Sequence, residues 1–115
     1  MDSLEKKIVL SLVMTLFVVA FIPFYWAREP ARQAAAIARI ERRSIEKGAT
    51  LFSGACAACH GAQAQGGVGP ALKGKDATFV QSTVRSGKGI MPAFSPNQIS
   101  ISELEDIIIF LNSLK

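Results

Sequence analysis

Cys56-Ala57-Ala58-Cys59-His60 constrains this chain more than any other stretch of it. Two thiols three positions apart, with a histidine directly after the second, form the attachment pattern of a c-type haem. In that chemistry the cysteines become thioethers on the porphyrin vinyl groups and the imidazole binds the iron. The pentapeptide uses both cysteines and the single histidine of a 115-residue chain, which weighs against the competing uses. A disulfide leaves the adjacent histidine without a role. A structural zinc site takes four Cys or His ligands, and this chain holds only three. A thioredoxin-like dithiol wants βαβ surroundings, whereas the apolar patterning here is helical. Buried structural cysteines are the plainest alternative.

The second constraint is an uncharged run of twenty residues from Ile8 to Ala27, IVLSLVMTLFVVAFIPFYWA. That is the length needed to cross a bilayer core as a helix. The chain's one Tyr and one Trp, Tyr25 and Trp26, lie beside Phe24 at one end, where amphipathic rings settle at the headgroup level. Pro23 near that end either kinks the helix or costs little. A secretory signal peptide has a shorter apolar run followed by a small-residue cleavage site, and the aromatic-proline cluster is a poor lead-in to one. Ala34-Ala35-Ala36 resembles such a site but lies well beyond the run. A buried core helix fails on size, because the rest of the chain cannot surround it. The expectation is an uncleaved, single-pass anchor, with residues 1–27 as tail and transmembrane segment.

Residues 28–43, REPARQAAAIARIERR, are rich in strong helix formers and contain no glycine. They read as a stiff helical connector. Ile37 and Ile40 give it a thin apolar stripe beside alanines, so it is either a solvated spacer or a helix packed on a neighbouring subunit.

Residues 44–115 read as one small all-helical domain. Ile45, Ala49, Leu51 and Phe52 carry a helical pattern running to about Gly54 or into the cysteine motif. Gly61 to Gly69 holds four glycines in nine residues and reads as loop. Thr78 to Arg85 predicts a short helix, with Phe79, Val80 and Val84 inward and Asp76 or Thr78 as cap. Lys88 to Gln98 is irregular, punctuated by Gly89, Pro92 and Pro96. Ser102 to Leu114 predicts the clearest helix, with a Ser102/Glu105 capping box and an apolar face of Leu104, Ile107, Ile108, Leu111 and Leu114. A domain of this size makes a marginal core. A covalently held haem would fill its centre, and without it the domain is expected to be unfolded or molten.

These residues together resemble a class I cytochrome c domain, the single-haem, all-helical kind of bacterial respiratory and photosynthetic chains. Gly48 and Phe52, leading into Cys56, look like the glycine and aromatic of that family's first helix, with Phe110 as the aromatic partner on the last. The resemblance implies that Gly48 lets the two helices cross closely. Gly69-Pro70-Ala71-Leu72 looks like the family's turn. There the Pro70 carbonyl is expected to accept a hydrogen bond from the His60 imidazole, and Leu72 to pack on the haem. Such a bond orients the ring and raises its basicity.

Met91, in Gly89-Ile90-Met91-Pro92-Ala93-Phe94, is the candidate distal ligand. The other two methionines are Met1 and Met14, the latter within the apolar run. A methionine filling a gap in the core is the bland alternative. The family pattern places its ligand in such a Met-Pro loop. His60 and Met91 filling both axial positions leave no site for oxygen or peroxide, and methionine sulfur raises the reduction potential. The expected function is therefore one-electron transfer through one haem c, not catalysis. A haem-based ligand sensor or enzyme with a labile sixth ligand is the alternative.

Charge bears on partners and topology. Residues 1–43 carry seven basic and four acidic side chains, and residues 44–115 six and five, so nucleic acid is a poor partner. Lys73, Lys75, Arg85 and Lys88 suggest a basic rim that steers an acidic redox partner, against the alternative of an ordinary solvated surface. Lys6 and Lys7 precede the anchor, while Arg28, Arg32, Arg39, Arg42 and Arg43 follow it. Charge counting alone places the haem segment inside the cell. The resemblance implies haem attachment on the outer face of the cytoplasmic membrane, and that is the placement expected here. The anchor contains no glycine, hence no GxxxG face. A fixed subunit of a larger respiratory or photosynthetic complex is expected over a membrane-tethered shuttle or a purely structural subunit.

Overall fold

The computed structural model describes residues 2–114 and is all-α among them, with four helices. Met1 and Lys115, the termini of the segments read from the sequence, lie outside the described residues. The helices are α1 (Ser3–Ala55), α2 (Ala57–His60), α3 (Ala77–Ser86) and α4 (Ile101–Ser113). α1 contains Pro23 and Pro30 and passes without interruption through 27/28 and 43/44. The chain forms two compact units that divide between Ala38 and Arg39.

In the first unit the large apolar side chains from Ile8 to Trp26 are all exposed, Leu16 at 69% and Trp26 at 72%. No protein core covers them, which removes the buried-helix reading. The helix is long and apolar enough to cross a membrane and suits a single-pass anchor. Phe17 stacks on Phe21 with ring centroids 5.7 Å apart. The Arg28 guanidinium lies 4.5 Å from the Phe24 ring centroid, a cation–π contact at the polar end of the run.

In the second unit the end of α1 buries Gly48 and Phe52 against α4. A side chain at Gly48 would strike the Asp106 backbone carbonyl and come within 2.8 Å of Phe110 Cβ. Only hydrogen permits this approach. One turn on, the fully buried Phe52 meets Phe110 with ring centroids 5.5 Å apart and planes at 51°, a favoured tilted geometry. Leu104, Ile107 and Leu111 bury the expected face of α4, with Ile108 and Leu114 half-buried. Burying a Phe or Leu stabilises by about 1.5–3 kcal/mol each. Phe52 and Leu104 are therefore the main apolar anchors of this unit.

Two local expectations are corrected. The capping box belongs to Ser100 and Glu103, two residues before the Ser102/Glu105 pair. Glu103 N–H donates to Ser100 Oγ at 3.3 Å, and Ser100 N–H donates to Glu103 Oε2 at 2.7 Å. Ser100 has the extended backbone a cap requires, whereas Ser102 already lies inside the helix. Those bonds hold the half-buried Glu103 carboxyl below its ordinary range. Phe79, expected inward, is 44% exposed. Val80 and Val84, four apart, define the buried face of α3, and Phe79 is rotated off it. Of the two cap candidates for α3, Asp76 does the work, accepting from Thr78 N–H at 2.8 Å and Phe79 N–H at 3.1 Å.

Candidate functional site

The site begins where α1 ends. Cys56 N–H still donates to Phe52 O at 2.9 Å, and His60 N–H donates to Cys56 O at 3.0 Å, so the pentapeptide closes into the single turn of α2. Cys56 is half-buried, Cys59 exposed, and the two thiols are unbridged. Burial, then the neighbouring Cys59, push the Cys56 thiol above its ordinary pKa. That is the opposite of the depressed thiol of a dithiol oxidoreductase.

His60 is 7% exposed, the buried polar side chain among the described core residues. Its Nδ1 lies 2.8 Å from the Pro70 carbonyl oxygen. A carbonyl can only accept, so Nδ1 carries a proton, and in the neutral ring the lone pair then lies on Nε2. The loop that brings Pro70 to the ring is tied by its own backbone. Gly66 N–H donates to His60 O at 2.8 Å, Gly69 N–H to Cys59 O at 2.7 Å, and Leu72 N–H to Ala64 O at 2.9 Å. Gly66, at φ 99°, takes a conformation that side chains rarely adopt. Gly69 is needed for space: a Cβ there would lie 2.8 Å from His60 Cε1 and 2.9 Å from Nδ1.

Met91 is half-buried and packs against the core cluster, as do Cys56, Leu72 and Phe94. It closes a tight turn in which Lys88 N–H donates to Met91 O at 3.1 Å and Met91 N–H donates to Lys88 O at 3.0 Å. Gly87 and Gly89 supply the left-handed corners, at φ 71° and 60°. Phe94 N–H then donates to Val84 O at 2.8 Å, joining the segment to α3.

Of the cations read as a docking rim, Lys73, Lys75 and Lys88 are exposed. Arg85 is not a rim residue. It is half-buried, and its Nη1 donates to the carbonyls of Phe94 at 3.1 Å and Ile99 at 2.8 Å. Sequence reasoning missed this and the steric role of Gly69. The available signals were a cation directly after the buried Val84, and a glycine directly before the proline that faces the histidine.

The donor set fits a c-type haem. It comprises two unbridged thiols on one turn and an imidazole fixed with Nε2 free, with a thioether borne on a separate segment of the same core. Among the described residues no cluster of three or more His, Cys, Asp and Glu side chains offers a metal site of another kind.

Comparison with known proteins agrees. The chain is 32% identical over 83 residues to a cytochrome bc1 complex cytochrome c subunit of Corynebacterium efficiens, covering 67% of this chain and 28% of that protein. It is 32% identical over 74 residues to a cytochrome c-553-like protein of Synechocystis sp., covering 60% of this chain and 68% of that one. Against a cbb3-type cytochrome c oxidase subunit CcoP of Azospirillum brasilense it is 29% identical over 85 residues, covering 62% of this chain and 28% of that protein. The chain thus spans 28% of the corynebacterial and Azospirillum proteins. No solved structure matches it. Residues 43–111 match the model of the family described as cytochrome c oxidase, cbb3-type, subunit III. The chain belongs to that family of cytochrome c-like, membrane-associated subunits.

Proposed function

We propose that the chain is a one-electron carrier, not an enzyme, with a class I cytochrome c fold in residues 44–115. One haem c is held covalently by Cys56 and Cys59, with His60 and Met91 as axial ligands. The observation that carries this reading is the oriented imidazole: Nδ1 bound to Pro70 O at 2.8 Å, Nε2 free, directly beside two unbridged thiols. When bound, the haem supplies a reversible ferrous–ferric couple. The chain's residues do the rest. Pro70 O holds the imidazole in one tautomer and orientation and strengthens it as a donor. Met91 offers a soft thioether from the turn at Lys88–Met91. Leu72 and Phe94 add apolar wall from the same core and keep water from the centre. With both His60 and Met91 held to the iron, no position would be left for oxygen or peroxide, which would separate a carrier from a sensor or an enzyme.

Residues 1–27 serve as tail and anchor in the cytoplasmic membrane and residues 28–43 as a helical connector, with the haem domain on the outer face. The relatives named as subunits of bc1 and cbb3 oxidase complexes support a fixed place in a larger respiratory or photosynthetic assembly. The exposed Lys73, Lys75 and Lys88 suit an acidic redox partner, whose electron transfer should slow steeply with salt.

The test is production of the full chain in a host that attaches haem, followed by intact mass in denaturant. The expected product is heavier by one haem that survives unfolding, and its reduced form does not bind carbon monoxide rapidly. Unmodified protein, or fast carbon monoxide binding, contradicts the reading. Recovery with a large complex in mild detergent supports the subunit role, whereas recovery as a lone haem protein favours a shuttle. Protection of residues 44–115 from protease in intact spheroplasts contradicts the outer-face placement.

A further inference from the structure

Arg85 stands out because its position is polar, half-buried and bonded across long stretches of chain. Its Nη1 reaches Phe94 O, nine residues on, and Ile99 O, fourteen residues on. These two carbonyls bracket the segment that links the Met91 turn to α4 (Ile101–Ser113). Nη2 of the same guanidinium is buried without a hydrogen-bond partner. Leaving a buried charged donor unanswered is unfavourable, so the bonds made by Nη1 must hold this side chain in place against that penalty.

The segment has few other hydrogen bonds to α3. Within Lys88–Met91 the turn is closed by its own two hydrogen bonds, which fix its shape but not its position. One backbone bond, Phe94 N–H to Val84 O, joins it to α3 (Ala77–Ser86). Met91, Phe94 and Ile99 pack on the core, while Pro92, Ala93, Ser95, Pro96, Asn97 and Gln98 between them are exposed. The guanidinium adds the side-chain polar tie, and it does so from the residue next to Val84, so both hydrogen-bonded restraints converge on the last turn of α3.

We propose that Arg85 is the positioning residue for the distal ligand: by pinning Phe94 O and Ile99 O to the end of α3 it holds the Met91 thioether at the iron. This rests on the reading of Met91 as axial ligand. A planar guanidinium can serve two carbonyls in a fixed direction, whereas a lysine offers a point charge on a flexible stem. Arg85→Lys should therefore keep the charge and only part of the positioning. Arg85→Gln should lose both.

The experiment uses the full haem-loaded chain in detergent. It follows the weak red-region charge-transfer band of ferric haem with sulfur ligation, together with the far-ultraviolet helical signal, during heating. It also measures carbon monoxide binding to the reduced protein. In Arg85→Gln the band should vanish well before the helical signal, and carbon monoxide binding should rise about tenfold, the equivalent of one lost charge-assisted hydrogen bond. The reduction potential should fall, because sulfur ligation raises it. Arg85→Lys should lie between wild type and Arg85→Gln, and it decides the matter alone if Arg85→Gln fails to fold. Loss of band and helix together at a lower temperature, or a band and carbon monoxide rate unchanged from wild type, overturns the proposal. A wild-type protein without the band overturns the Met91 reading itself, which separates the two failures.

Discussion

The two sides of the proposed haem site, one at His60 and one at Met91, are built by different means. On the histidine side, the loop from His60 to Leu72 is tied by backbone hydrogen bonds at 2.7–2.9 Å, and the ring is oriented by a backbone carbonyl. On the methionine side, the turn at Lys88–Met91 is closed on itself but fastened to the helix by one backbone bond and one side chain, Arg85. Backbone ties are indifferent to most substitutions and fail only where glycine is needed. Side-chain ties can be adjusted by a single exchange. The histidine side is thus the fixed half of the site and the methionine side the adjustable half.

The largest expected effect is common to both halves. Cys56→Ser with Cys59→Ser removes the proposed attachment points, and the haem-free domain should show collapsed proton dispersion by NMR. Sharp, dispersed signals would mean that the protein core alone suffices. Next is the fixed half. Gly69→Ala places a Cβ 2.8 Å from His60 Cε1, and overpacking of this kind costs about 1–3 kcal/mol. Denaturant unfolding should show that loss, and Gly69→Val a larger one. An unperturbed Gly69→Ala protein would mean that the ring is not confined as described.

The adjustable half should respond in chemistry more than in stability. Met91→Ala should retain covalent haem and helical content while its reduced form binds carbon monoxide readily. Retention of a closed centre in that variant would assign the sixth position elsewhere. Ser100→Ala deletes the cap of α4 and should lower stability to denaturant by about 1 kcal/mol.

The smallest effect is one of pH. Glu103 has its folded pKa lowered by bonds to Ser100. A lowered folded pKa gives stability that is present above the unfolded pKa and lost as pH falls through the folded one. The stability difference between wild type and Glu103→Gln should therefore shrink on acidification. A difference that is constant with pH would remove the charged form from the cap.

Much of the fixed half was legible from sequence because it is local. CxxCH, the glycine-rich loop and Gly69-Pro70 sit within fifteen residues of one another, and turn chemistry dictates how such a stretch folds. The crossing at Gly48 was legible through resemblance, and its cause is steric: a Cβ there meets the Asp106 backbone. The adjustable half was harder. Arg85 reads as a surface cation in one dimension, and only the fold brings Phe94 O and Ile99 O within its reach. The cap of α4 was displaced by two residues because Ser100 and Ser102 each have a glutamate three positions on, and the backbone decides between them. Hydrophobicity alone draws Phe79 inward, although Val80 and Val84 already supply the buried stripe of its helix.

The central claim is a closed His60/Met91 iron centre on a haem fixed at Cys56 and Cys59. Its most direct test is the red-region absorption spectrum of the ferric, haem-loaded full chain beside that of Met91→Ala. Wild type should show a sulfur-to-iron charge-transfer band that disappears in Met91→Ala while the haem stays covalently bound. Absence of the band in wild type, or its survival in Met91→Ala, would contradict it.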